Sequence, residues 1–259
     1  MTDSANTLVR RRRLMLVFLT LALLISHLDR HILAVALEQI KIEFALSDTQ
    51  LGILSGLPFA VVFVLFGFLS ARFSRPGRYK PMIVVALIVW SVAAMAMGLA
   101  GSFMALLIFR VIVGGGEATA VPPTHALIAQ AYPPSRRASA LAVLQTGASL
   151  GLFLAFAGGG LVIALFGWRV GFVVFGLLGV ILAVPLALWM TEAQDTAPQP
   201  VGAATQQRGT IAQVFRVIWA DPSSRLVVLG LVMATVVATA AWRGSRPICA
   251  ASTICHCRR

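Results

Sequence analysis

The sequence predicts an all-α membrane protein with six spanning helices and a partial seventh. Three observations lead there. Of the 259 residues, 59% are hydrophobic and only 12% charged, whereas a soluble domain is about 25% charged. The apolar residues fall into uncharged runs long enough to cross a bilayer, and the basic residues gather in the gaps between those runs. Disorder is excluded, because a chain so rich in Leu, Val, Ala and Phe buries more surface than its ordering costs. A formal charge of +12 would suggest nucleic acid in a soluble protein. No aromatic residues interleave with these basic clusters as a stacking platform needs, so the charge reads as membrane topology and no nucleic-acid partner is expected.

A spanning helix needs about 20 mostly apolar residues, since about 30 Å of hydrocarbon is crossed at 1.5 Å per residue. The basic segment 1–13, ending in Arg10 to Arg13, precedes the first span, Leu14 to Leu37. A cleavable leader is a poor alternative, because the apolar stretch is too long and Asp29-Arg30 interrupts it. Residues 49–71 carry no charge and form the second span. The uncharged run 81–109 is too long for one upright helix, and Gly101-Ser102 supplies a turn inside it. That divides it into spans three and four, the fourth continuing through Arg110 and Glu117 to about Ala131. Tyr132-Pro133-Pro134-Ser135-Arg136-Arg137 then breaks the helix in a basic loop. Residues 138–168 form the fifth span, closed by Gly167-Trp168-Arg169, and Val170 to Met190 the sixth.

Short cytoplasmic loops collect Lys and Arg. Arg10 to Arg13, Arg72, Arg75, Arg78, Lys80, Arg136, Arg137, Arg208, Arg216 and Arg225 fall on one side, and Lys41 and Arg169 on the other. Both ends of the 14–190 block are therefore expected in the cytoplasm, with the block in an inner (plasma) membrane. Residues 191–225 read as a polar cytoplasmic linker, and 226–242 as a seventh helix barely long enough to span. The tail 243–259 holds all three cysteines and four arginines without an acid. On the outer side it breaks the charge rule that the rest obeys, so it reads as foreign sequence from a shifted frame or truncated gene. Cys255-His256-Cys257 lacks the ligand spacing of structural zinc, and no metal is expected.

Charged residues inside spans are costly and by default mark a pathway or proton relay. Asp29, Arg30, Arg110 and Glu117 are such residues. Asp29 lies about 24 Å beyond Arg13 along its helix, and Arg110 about 10 Å and Glu117 about 21 Å below the outer start of span four. Asp29 and Arg110 are thus at similar depth and are expected to meet as an ion pair. Arg110, Gly114 and Glu117 share one helix face, with cation and anion too far apart to satisfy each other, so another helix, water or substrate must supply partners. Burial and a nearby guanidinium act in opposite directions on an embedded carboxyl. His27 and His31, four apart, are better read as hydrogen-bonded to backbone than as a metal pair. Gly147 and Gly151, like Gly52 and Gly56, let helix backbones approach closely in lipid. Gly114-Gly115-Gly116 is no phosphate loop, lacking the strand and the Lys that one requires.

Several motifs resemble the major facilitator superfamily, and more narrowly its spinster-like branch. Leu28-Asp29-Arg30 with Ala34, then Leu46-Ser47-Asp48-Thr49-Gln50-Leu51-Gly52, are similar to that branch's opening. Gly67 to Arg75, including Arg72, resembles the loop after the second helix, and Arg110 to Ala118 the fourth-helix Arg and glycine motif with its Glu-Ala. Phe166-Gly167-Trp168-Arg169 looks like the start of the sixth helix. The resemblance implies the N-terminal six-helix half of a twelve-helix secondary transporter whose site lies between its halves. It also implies that Asp29, Arg110 and Glu117 serve proton coupling and substrate binding, that Gly67, Arg72 and Arg75 belong to a gating loop, and that Gly114 and Gly116 pack the fourth helix. Ala71 stands where that loop normally has an acid, and the fifth helix lacks the glycine-proline pattern of drug antiporters. The expected cargo is an organic anion or amphiphilic, lipid-like solute, with the proton as coupling ion and no cofactor. A missing C-terminal half or another copy would complete the cavity, and a non-transporting remnant is the alternative. No nucleophile with a base appears, so no enzyme is expected.

Overall fold

The computed structural model describes residues 2–190, together with 219–223, 225, 226, 229, 230 and 233. The chain divides into two units, Met1–Pro200 and Val201–Arg259. Helix α1 runs Thr2–Phe44, α2 Asp48–Ser55, α3 Leu57–Phe73, α4 Tyr79–Gly98, α5 Phe103–Ala131, α6 Pro134–Leu154 and α7 Gly160–Trp189. A π-helical turn, Ala155–Gly159, joins α6 to α7. No strand occurs among the described residues.

The breaks have local causes. Ser47 caps α2 reciprocally with Gln50, so two otherwise orphaned N-terminal amides find partners. Helices α2 and α3 make one crossing, interrupted at Gly56. There Pro58 has no N–H to continue the ladder but suits a restarted first turn. Ser102 caps α5 as the Gly101-Ser102 turn predicts, and Pro133-Pro134 separates α5 from α6. The continuous helical run Pro134–Trp189 has 56 residues, about 84 Å at 1.5 Å per residue and far beyond one bilayer. Gly167, at φ 82° and ψ 165°, breaks it into two crossings, where the Gly167-Trp168-Arg169 signal placed the boundary. The described residues therefore make six crossings, and α1 extends past both ends of the predicted 14–37.

Close approaches at glycine fix how the crossings pair. A Cβ on Gly147 would strike the Thr20 carbonyl, on Gly151 the Leu24 carbonyl, and on Gly159 the Ile32 side chain. Because 147, 151 and 159 match 20, 24 and 32 in order, α1 and the fifth crossing run parallel. The second crossing runs parallel to α5, with Phe59 against Gly114 and Ser70 donating to the Thr119 carbonyl at 2.6 Å. Helix α4 runs antiparallel to the end of α7, pairing Gly98 with Arg169 and Ser91 with Gly179. Exchanging crossings one, two and three with four, five and six maps this set of pairs onto itself. That is the signature of an inverted repeat.

The core is built from apolar side chains such as Leu19, Ile32, Leu87, Trp90, Leu106 and Phe172. Many other large apolar residues are exposed, among them Val64, Phe153, Leu165 and Leu188. A bundle solvated by lipid leaves them so. In the second unit the described residues at 219–233 are helical apart from a bend at Asp221, whose carboxylate accepts from the Ser223 hydroxyl at 3.0 Å. Most of the expected linker 191–225, all but four positions of the expected seventh helix, and the tail 243–259 lie outside the described residues.

Candidate functional site

Asp29, Arg110 and Glu117 are all buried in the bundle, each at most 3% exposed, on α1 and α5. The structure brings a fourth charged residue into the set. Arg30 reaches across from α1 and meets Glu117, its Nη2 donating to Oε2 at 2.6 Å and its Nε at 3.2 Å. The partner that Glu117 needed from another helix is therefore Arg30.

The expected ion pair between Asp29 and Arg110 is not formed. Neither oxygen of Asp29 has a hydrogen-bond partner, and Arg110 keeps Nε and Nη1 unpartnered. Arg110 instead lies over the ring of Phe59, 4.3 Å from guanidinium carbon to centroid. It grazes the Arg30 carbonyl through Nη2 at 3.5 Å, which agrees with a shared depth for residues 29–30 and 110. The physical reason is an aromatic side chain that depth arithmetic does not see. Phe59 offers a π face to both guanidiniums, with Arg30 5.1 Å away, and Phe63 holds Arg30 from a second side at 4.8 Å. Such cation–π contacts strengthen where water is excluded. Phe59 and Phe63 themselves stack, with centroids 5.7 Å apart.

The three consecutive glycines of α5 make this arrangement possible. A Cβ on Gly114 would sit 2.9 Å from Phe59, on Gly115 3.4 Å from Phe66, and on Gly116 2.8 Å from Trp90. Gly114 thus admits the Phe59 ring against the backbone, and Gly116 lets the α4 backbone at Trp90 approach. The run that looks like a phosphate loop is a packing surface.

The site holds two cations and two anions, so it is formally neutral, but it is not internally satisfied. Asp29 Oδ1 and Oδ2, Glu117 Oε1, and Arg110 Nε and Nη1 are all buried without partners. Buried polar groups are nearly always hydrogen-bonded. The cluster therefore keeps hydrogen-bonding capacity that its own side chains do not use.

The other singled-out residues are placed as follows. His27 sits beside the site with Nδ1 at 3.1 Å from the Leu23 carbonyl, and its ring is 6.3 Å from His31. No group of His, Cys, Asp or Glu among the described residues is arranged to hold a metal ion. His125 bonds to its own helix at the Val121 carbonyl, 2.9 Å away. Gly67 has open space where a Cβ would go, and Arg72 and Arg75 are exposed at the end of α3 and in the turn after it. Phe59 and Phe63 are the site residues that sequence reasoning did not single out, and Arg30 was singled out but given no role. Arg30 carried a signal, an embedded charge beside Asp29; the two phenylalanines carried none.

A six-crossing helical bundle with a charged cluster enclosed between its first and fourth crossings defines a multi-pass integral membrane protein with an internal polar site. The model of the Major Facilitator Superfamily matches residues 19–246, and the chain belongs to that superfamily. It is 32% identical to an MFS-type efflux pump of Mycolicibacterium smegmatis over 80% of this chain and 47% of that protein. It is 32% identical to the hexuronate transporter of Bacillus subtilis over 72% of this chain and 43% of that one. Among solved structures it resembles a bacterial homologue of the human lysosomal transporter Spinster in an inward-facing, unoccupied conformation. There the TM-score is 0.69 and the identity 31%, covering 82% of this chain and 50% of that one. The chain spans about half the length of the relatives it matches, and those relatives are transporters.

Proposed function

We propose that the chain forms the first half of a proton-coupled secondary transporter for an organic anion or an amphiphilic, lipid-like solute, set in an inner (plasma) membrane with its N-terminus in the cytoplasm. The observation that carries this reading is the open valence of the Asp29, Arg30, Arg110 and Glu117 cluster. Arg30 is held by one carboxylate, and an entering anion competes for the same guanidinium. A proton on Glu117 releases Arg30 to the anion, and Arg110 offers two further unpartnered nitrogens, Nε and Nη1, beside it. Asp29, adjacent on α1, supplies a second proton site. Loading then changes which charges face each other across α1 and α5. A carrier whose two orientations bind the loaded site unequally shifts between them. In the same reading the loop of Gly67, Arg72 and Arg75 moves with that rocking, membrane lipid surrounds the bundle, and the only coupling agent is the proton.

Several relatives bear the names of organic-anion carriers, including hexuronate, cis,cis-muconate and D-galactonate transporters, which supports an anionic cargo. Because six crossings wall only one side of a cavity, a C-terminal half or another copy is the expected partner. For residues 1–259 taken alone, a second reading is a membrane-inserted chain that does not transport, since six crossings line only one side of a cavity. Uptake of labelled hexuronate into acid-outside proteoliposomes tests both. A fusion of residues 1–190 to the second half of the B. subtilis hexuronate transporter is expected to accumulate it, and the chain alone is not. An Asp29→Asn fusion that kept the full dependence on the pH gradient would remove Asp29 from the mechanism.

A further inference from the structure

On the basic side of the bundle, α3 and α4 each lean on α5 without closing on each other, and a groove of about 710 Å3 is left between them. Its floor is the bare backbone of Gly115 and Gly116. Its walls are Phe66 from α3 and Met82, Val85 and Val89 from α4, and its single charged lining residue is Arg78. Val85 is 59% exposed, with Val89 and Phe66 also open. Arg78 sits immediately before α4 in a tight turn, its N–H donating to the Arg75 carbonyl at 3.0 Å, and Gly77 adopts the positive φ of 82° that the turn needs. None of these residues belongs to the cluster of Asp29, Arg30, Arg110 and Glu117.

Two dimensions decide what fits. Along α4 the lining runs from Pro81 to Val89, about 12 Å, against about 15 Å for half of the hydrocarbon thickness. The groove therefore starts at the basic membrane surface and stops near the midplane, the depth of one leaflet. Spreading 710 Å3 over that length gives a mean cross-section of about 60 Å2. A slot this narrow and this apolar suits a flexible hydrocarbon chain. At the surface end the guanidinium matches an anionic headgroup, as basic pockets between membrane helices do on the cytoplasmic side.

We propose that this groove binds one anionic phospholipid of the leaflet on the basic side, with acyl chain lying along α4 against Phe66, Val85 and Val89 and phosphate at Arg78. The site is independent of the transport reading and survives its failure.

The test is retention of lipid by the full chain in neutral detergent. The chain is offered equal amounts of phosphatidylglycerol and phosphatidylcholine, and bound lipid is counted by native mass spectrometry. One phosphatidylglycerol per chain is expected, preferred about fivefold, the worth of one cation near an anionic lipid. Arg78→Gln brings the preference to about one and Arg78→Lys keeps most of it. Val85→Trp, which fills the groove from an exposed position, removes both lipids. Equal retention of the two lipids by the unsubstituted chain overturns the proposal, and that result needs no variant to fold. An unchanged preference in both Arg78→Gln and Val85→Trp also overturns it, because the lipid then sits elsewhere on the basic rim. A dimer that carries no phosphatidylglycerol and is dissociated by Val85→Trp overturns it in favour of a second copy.

Discussion

Glu43 pairs α1 with α7 and Glu117 pairs α5 with α1, each 2.6 Å from an arginine, yet the two clusters are opposite in kind. At the end of the bundle away from Arg10 to Arg13, Glu43 uses both oxygens, one accepting from Arg169 and the other from the Trp168 indole at 2.7 Å. Arg169 also donates to the Gly98 and Ala100 carbonyls, and Gln39 accepts the Trp168 backbone N–H at 3.0 Å. This knot ties the end of α1 to the α4–α5 turn and to the start of the sixth crossing, with every named group in use. In the interior, Glu117 uses one oxygen of two, and Asp29 uses neither. The knot is half exposed, at 39% and 42% for its charged pair, whereas the Glu117 side chain is 1% exposed. Satisfaction where water could have helped marks structure. Unused hydrogen-bonding capacity in the buried interior sets the second cluster apart, and the transport reading draws on it.

Substitutions sharpen this contrast, from the largest expected effect down. Arg30→Gln or Glu117→Gln in the transporting fusion is expected to lower anion uptake by about 10- to 100-fold, since a hydrogen bond to a charged group is worth about 1.5–3 kcal/mol. Initial rates at saturating pH gradient measure it, and wild-type rates in both variants would merge the interior pair with the structural class. Asp29→Asn is expected to raise stability by about 1 kcal/mol while weakening pH dependence, because it replaces an unpartnered buried carboxyl by a neutral isostere. A denaturation midpoint in detergent reads the first effect, and a drop in that midpoint would show that Asp29 has a partner that counts. Arg169→Ala is expected to do the reverse, costing about 1 kcal/mol with the pH profile of uptake untouched. Last, Lys41→Ala removes the 2.6 Å bond to Asp48, whose side chain is 89% exposed, and is expected to leave the midpoint unchanged, as for most exposed pairs. A measurable loss there would mean that length rather than burial sets the value of these bridges.

How far the sequence reached follows the same division. Gly101-Ser102, Tyr132-Pro133-Pro134 and Gly167-Trp168 mark breaks in uncharged runs, and the helices change direction there, because turn and cap chemistry is local. The interruption at Gly56 and the π-helical turn Ala155–Gly159 were not read. A Pro within the first turn of a restarted helix and a run of small residues look the same as an ordinary span in composition. Asp29, Arg110 and Glu117 were identifiable as candidates because charge in a span is conspicuous. Their pairing was not, since Arg30 reaches Glu117 and Phe59 takes up Arg110 through contacts between helices far apart in sequence.

By itself the sequence determined the solvent, the number of crossings and the small set of charged residues that must be buried, because hydrophobic length and the cost of embedded charge act residue by residue. Only the tertiary structure decided which charge meets which, and which polar atoms are left over. Those outcomes depend on side-chain reach and on aromatic rings that neighbouring glycines admit, and neither distance is written along the chain.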